Sequence, residues 1–411
     1  MNIYFYIILI ILIADFIWGQ VLAALNRSRM SSHIPKELEG IYQPEEYAKQ
    51  QLYQKTNSRF GLITGSFSFL LILFVLYFGI FGWLDNSLRE YTSSYIFLPL
   101  VFFGIILLVS EILDIPFDWY ATFRIEERFG FNKSTRSLFA TDWIKGLLLN
   151  IVMGGLILSA IIVIYHYTAE WFWLLAWLVI TVFSLVMSFF YSEWIVPLFN
   201  KQTPLEEGEL RKAIETFAEK AGFRLDNIYL MDGSKRSTKA NAYFTGFGKK
   251  KRIVLFDTLL EELNTEEIVA VLAHEIGHYK KKHIIQSMFL SVITTGITLY
   301  ILSLFLNSRA LAEALGGTEA SFHLGLIGFG ILFSPISEVL GLIMNYISRR
   351  NEYEADAFAV QFGLGDSLIS ALKKISVKAL SNLNPHPWVV FWGYSHPTLL
   401  QRIKAIEASC K

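Results

Sequence analysis

Asn264-Thr265-Glu266-Glu267-Ile268-Val269-Ala270-Val271-Leu272-Ala273-His274-Glu275-Ile276-Gly277-His278 leads through Tyr279 and Lys280 to His283 into an apolar run over 284–306. The first part predicts a helix over 265–283. Asn264 fits an N-cap, with Glu267 three residues on, and the pair satisfies backbone N–H groups at the helix start. Ile268, Val271 and Leu272 give that helix an apolar face. The second part is long enough to cross a ~30 Å hydrocarbon core at roughly 1.5 Å per residue. A helix with polar faces therefore runs into a membrane span.

The whole chain fits that reading. Of 411 residues, 53% are AVILMFWYC and 18% are charged, against about 25% charged in soluble domains. Mean hydropathy is +0.42. A disordered chain, a coiled coil and an ordinary cytosolic enzyme are excluded. Spans are expected at 3–25, 62–84, 96–113, 144–166, 171–191, 284–306 and 324–347. The first run has no Lys or Arg before it and is long for a secretory signal, so it is taken as a span. Basic residues crowd alternate loops: Arg27 to Arg59, Arg124 to Lys145, Lys249 to Arg252, and Arg349 with Arg350. The loops between hold Arg89, none, and Arg309. Basic loops stay cytoplasmic, so the N-terminus is expected outside. The net charge of +0 gives no sign of a nucleic-acid partner. The single cysteine, Cys410, permits neither an intrachain disulfide nor a cysteine-based zinc site.

Four segments follow: a membrane part at 1–191, a soluble segment at 192–283, two further spans at 284–347, and a tail at 348–411. In the soluble segment, Glu207 to Ala221 has helical spacing, with Leu210, Ala213, Ile214, Phe217 and Ala218 on one face. Residues 227–231, 242–245 and 252–256 read as strands, the last two around the turn Gly246-Phe247-Gly248-Lys249.

His274-Glu275-Ile276-Gly277-His278 is HExxH. On a helix, i and i+4 lie one turn apart on one face. Two imidazoles so placed reach one zinc ion, and the intervening Glu reaches the water it activates. A catalytic zinc takes three protein ligands. The best third candidate is Glu352 in Arg349-Arg350-Asn351-Glu352-Tyr353-Glu354-Ala355-Asp356. Asp356 shares its face at i+4 and is expected to orient a His N–H. The small residues Ala355 and Ala359 would allow close approach to the HExxH helix. His283, nine residues after His274, is expected to point away as an interfacial polar residue.

At this point the sequence resembles the type I CAAX prenyl protease family of integral-membrane zinc metallopeptidases. The resemblance rests on the HExxH and 351–359 segments, and on Phe123 to Lys133, Ile195 to Lys201, Asn241 to Gly246 and Arg252 to Leu260. Ser395-His396-Pro397 followed by Arg402 completes it. It implies a mostly α, polytopic membrane protein. Seven transmembrane helices would enclose a water-filled chamber, beside a small α+β gluzincin-like zinc protease domain. It implies that Asn241, with Ala242 and Tyr243 on an edge strand, binds substrate backbone by strand addition. His396 would stabilise the oxyanion, and Arg402 would pair with Asp356. Asp15, Glu111, Asp114 and Glu338, inside or near spans, fit either a wet interior or helix–helix hydrogen bonds.

The implied reaction is peptide hydrolysis with one catalytic Zn2+ held by His274, His278 and Glu352, and Glu275 as general base. The implied substrate is a protein with a prenylated C-terminal motif, losing its last three residues. The alternatives are a membrane quality-control protease of heat-shock type and a seven-span receptor or transporter with an incidental HExxH. A bacterial inner membrane and the endoplasmic reticulum both fit, with the zinc site on the cytoplasmic side.

Overall fold

The computed structural model describes all residues except 1, 32, 37–38, 224, 226, 246–251 and 411. The expected turn at 246–249 and the basic residues 249–251 therefore lie outside the described residues. The chain begins with α1 (Ile3–Ser28), α2 (Pro44–Tyr77), α3 (Ile80–Arg89) and α4 (Phe97–Tyr120). A π-helical turn, Ala121–Glu126, leads to the short α5 (Glu127–Phe129). Then come α6 (Arg136–Thr168), α7 (Phe172–Trp194), α8 (Val196–Phe199), β1 (Gln202–Pro204), α9 (Glu209–Lys220) and β2 (Asn227–Met231). Next are β3 (Ala242–Thr245), β4 (Arg252–Phe256), α10 (Asp257–Glu262), α11 (Thr265–Lys280), α12 (His283–Phe305) and α13 (Arg309–Ala314). The chain closes with α14 (Phe322–Leu332), α15 (Ser334–Gln361), α16 (Gly365–Lys378), α17 (Pro387–Gly393) and α18 (Leu399–Ser409).

Among the described residues, six helices are long and apolar enough to cross a membrane, and α14 with α15 makes a seventh if the bent pair is one span. That pair departs from the single straight span expected at 324–347: it bends by 56°. Pro335, in the first turn of α15, has no N–H to continue the preceding helix. The span expected at 62–84 is also corrected. It ends at Tyr77, Gly79 adopts a left-handed φ of 62°, and α3 starts afresh.

The spans touch in a closed ring. α1 meets α2, and α2 meets α4 through Phe60 and Phe67 against Phe117. Trp143 of α6 donates to Glu111 of α4 at 3.1 Å. α6 meets α7, and Trp177 of α7 donates to the Val292 carbonyl of α12 at 2.7 Å. α12 meets α14 and α14 meets α1, while Ser334 donates to Asp15 at 2.8 Å. Glu111 and Asp15 thus serve helix–helix hydrogen bonds. Few residues of each span are buried against other parts of the chain. Phe5, Ile8, Leu76, Phe102, Leu311 and Leu324 form a buried cluster where α1, α2, α4, α13 and α14 meet.

A second core is drawn from three chain segments, with Tyr42 and Tyr47 packed with Ile214, Leu255, Leu272 and Ile276, and with Ala359, Leu368 and Ile406. The sheet order is β1-β2-β4-β3, with β2 and β4 parallel and the other pairs antiparallel. Ala242 pairs with Leu255 and Tyr243 with Val254, so β3 is an edge strand whose outer side has no partner among the described residues. β1 was not expected from sequence; it is short and ends in Pro204.

Helix α11 carries the expected capping box. The Asn264 side chain accepts from the Glu267 N–H, and Glu267 accepts from the Asn264 N–H, both at 2.9 Å. Glu267 is buried and also accepts from Ser370 and Lys374 of α16. A cap that fixes where α11 starts is thereby tied to a neighbouring helix. The expected close approach of α15 is also present. A Cβ placed on Gly277 would lie 3.1 Å from the Ala355 Cα, the Ala355 oxygen and the Phe358 Cβ. Gly277→Val should force the two helices apart, at about 1–3 kcal/mol for overpacking. A lower thermal midpoint together with reduced metal content would show it; unchanged metal retention would refute it.

Candidate metal centre and active site

Helix α11 presents His274 and His278 one turn apart, and α15 delivers Glu352 opposite them. One ligand atom from each lies within 4.8 Å of the other two. The two Nε2 atoms are 3.1 Å apart. His278 Nε2 is 3.3 Å from Glu352 Oε1, and His274 Nε2 is 3.5 Å from Glu352 Oε2. That Oε2 is buried and accepts no hydrogen bond, although Arg402 Nη1 faces it at 3.3 Å. Buried carboxylate oxygens are seldom left so. Three convergent donors, one of them an orphaned carboxylate oxygen, fit a metal ion of the kind His/His/Glu sets hold.

Further polar groups stand behind the cluster. His274 Nδ1 lies 2.8 Å from Asp356 Oδ1, which leaves Nε2 as the free lone pair. Arg402 of α18 donates from Nε to Asp356 at 2.9 Å and from Nη2 to its other oxygen. Burial on its own would raise the Asp356 carboxyl; His274 and Arg402 overcome it and lower its pKa. Burial likewise opposes ionisation of Glu352. The hydrogen bond from His278 and the charges of His274, Arg402 and His396 outweigh it and hold the carboxyl at about 2. Glu352 is thus an anion at neutral pH, as a ligand must be.

His283 corrects a sequence expectation. It does not point away. Lys282 has a left-handed φ of 62°, so α11 ends and α12 begins at His283. Angular counting along one helix does not apply across that break. His283 Nδ1 lies 3.0 Å from His278 Nδ1, and its Nε2 lies 3.3 Å from Glu354 Oε2. Glu354 in turn accepts from Arg350 at 3.1 Å. A proton on His278 Nδ1 donated to His283 leaves His278 Nε2 free for a metal. His283→Ala should therefore weaken metal affinity about 10–100-fold, the usual cost of losing such a partner. Equilibrium dialysis against a metal buffer reads this, and wild-type affinity in the variant would refute it. Neither His283 nor Glu354 was assigned a site role from sequence. A His just past HExxH and a Glu two residues beyond Glu352 were the available signals.

The remaining expected residues sit as follows. Glu275 is half-buried on α11, and its charge acts on both His278 and Arg402. His396 Nε2 is 3.3 Å from Glu352 Oε1, its ring is 62% exposed, and Ser395 Oγ contacts its Nδ1 at 2.9 Å. Asn241 is exposed immediately before β3, and its side chain accepts from the Ala242 N–H at 2.9 Å. Tyr243 packs back toward α7, with its hydroxyl 3.4 Å from Ser192 Oγ. Asn241 and Tyr243 help line a cavity of about 910 Å³ that also takes in Tyr191, Phe256 and Met288. The three clustered ligands are not among its lining residues.

Known proteins resemble this chain over most of its length. Residues 204–409 match the family model described as peptidase family M48. Residues 24–201 match one described as the CAAX prenyl protease N-terminal region with five membrane helices. The chain belongs to peptidase family M48. Among M48 relatives, a CAAX prenyl protease 1 homolog of Oryza sativa subsp. japonica is 37% identical, over 91% of this chain and 90% of its own. CAAX prenyl protease 1 of Saccharomyces cerevisiae is 35% identical, over 96% and 93%. The crystal structure of S. mikatae Ste24p superposes with a TM-score of 0.93 at 34% identity, covering 99% of each chain. The chain is a multi-pass membrane metalloprotease of this family. Its substrates are peptides or proteins, and the receptor and transporter readings fall away.

Proposed function

We propose that this M48 peptidase is a zinc-dependent endopeptidase that trims prenylated C-termini. The observation that carries the zinc reading is the convergence of His274 and His278 with the orphaned Glu352 oxygen. The names of the relatives support the substrate reading. Bound between these residues, zinc would supply Lewis acidity toward water and the scissile carbonyl.

The chain's own residues do the rest. Glu275, one residue from His274 on the same helix, takes the water proton and later passes it to the leaving amine. His396 donates toward the developing oxyanion. Its partly exposed ring can reach a substrate while staying next to Glu352. Asn241 and the free edge of β3 hold the substrate backbone as an added strand, with Ala242 and Tyr243 continuing that edge. Asp356 and Arg402 orient His274. The alternating basic loops put this site on the cytoplasmic side and the N-terminus outside, and a glycosylation map with the β3 loop outside would overturn that orientation.

Metal analysis of the purified chain should give one zinc. Cleavage of a farnesylated CaaX peptide should exceed that of its unprenylated twin. Equal rates with zinc present would move the function to general membrane proteolysis, and full cleavage with zinc removed would overturn the zinc reading.

A further inference from the structure

The hydrolytic site makes no use of the segment Phe123 to Lys133, which lies between α4 and α6. Charges in and beside it are sorted. Glu126 accepts from Lys239 at 2.8 Å and also takes the Tyr53 hydroxyl. Asp142 binds Arg236 through two bonds, at 2.7 and 2.9 Å. Both cations come from the loop that leads into β3. These acids are therefore turned toward the protease elements. The bases are left outward: Arg124, Lys133 and Arg136 are exposed, and no carboxylate among the described residues pairs with them.

Those three bases line one cavity of about 500 Å³ together with Trp119 and Phe123. Glu127 is the one acid among the described residues on its wall. The Arg124 guanidinium lies 6.0 Å from the centroid of the Trp119 ring. Trp119 stands at the end of the α4 span, where indole rings favour the membrane interface. The cavity thus combines cations that no described carboxylate pairs with and aromatic walls beside the end of the α4 span. Guanidinium groups bind phosphate oxygens in pairs, and basic pockets between spans suit anionic headgroups.

We propose that this cavity binds the phosphate of an acidic phospholipid headgroup, held by Arg124, Lys133 and Arg136 with the lipid chains running beside α4. A headgroup seated there would tie the bilayer surface to the Glu126 and Asp142 pairs, and through them to the loop before the edge strand.

The test compares the full chain with the triple variant Arg124→Gln, Lys133→Gln, Arg136→Gln. Both are placed in nanodiscs of phosphatidylcholine alone or with phosphatidic acid. Native mass spectrometry after gentle extraction counts retained lipid. The wild type should keep phosphatidic acid and the triple variant should lose it several-fold. Peptide cleavage in pure phosphatidylcholine should be equal for the two, which also shows that the variant is folded; if it is not, the single variant Lys133→Gln takes its place. Equal retention of phosphatidic acid by wild type and variant would overturn the proposal and leave these bases as topology determinants alone. Inorganic phosphate that displaces the retained lipid at low concentration would overturn the lipid assignment in favour of a free-ion site.

Discussion

Glu275→Gln is expected to retain the metal and to lower peptide hydrolysis by roughly 10²–10⁴-fold, the usual contribution of a positioned general base. Glu275 is not one of the three clustered ligands, so zinc content should match the wild type. The amide keeps the shape of the side chain but cannot take a proton. His274→Ala differs in kind: it removes a ligand, and metal and activity should fall together. A Glu275→Gln protein with full activity would remove Glu275 from the mechanism.

Arg402→Met is expected to have the largest effect on stability. The Arg402 side chain is 11% exposed and binds both oxygens of the buried Asp356 while facing Glu352. Taking away one partner of a buried ion pair leaves an uncompensated charge, at about 3–5 kcal/mol. Here two carboxylates lose their cation together. Thermal unfolding in detergent should show a markedly lower midpoint, with Arg402→Lys restoring part of it. Metal affinity should also fall, because Asp356 would no longer be held against His274 Nδ1. An unchanged midpoint would mean that solvent replaces Arg402 without cost.

Much of this centre was legible in the sequence because it depends on local periodicity. HExxH fixes two histidines on one face, and Glu352 with Asp356 repeats the same spacing. The capping box at Asn264 and the strands of the β4 hairpin follow from equally local signals. What escaped depends on breaks in periodicity or on distant packing. His283 was misplaced because Lys282 takes a left-handed conformation and restarts the helix. The end of α2 was overrun because Gly79 interrupts an apolar run that continues into α3. The bend before Pro335 lies inside what reads as one span. The grip of α16 on Glu267 joins residues about a hundred positions apart, which no local pattern reports.

The clustered residues are divided by membrane helices. His274 and His278 precede α12, and Glu352 lies on α15, past its bend with α14. Arg402, which steadies the His274 side, stands near the end of the chain. A nascent chain therefore has no complete centre until its last crossings are in the bilayer and α18 has docked. Insertion itself would act as the safety catch of this peptidase, with no propeptide needed to keep a half-made chain from cutting its neighbours. Ribosome-bound chains stopped before residue 350 should accordingly bind no zinc, and tight binding at that stage would show that the first two ligands suffice.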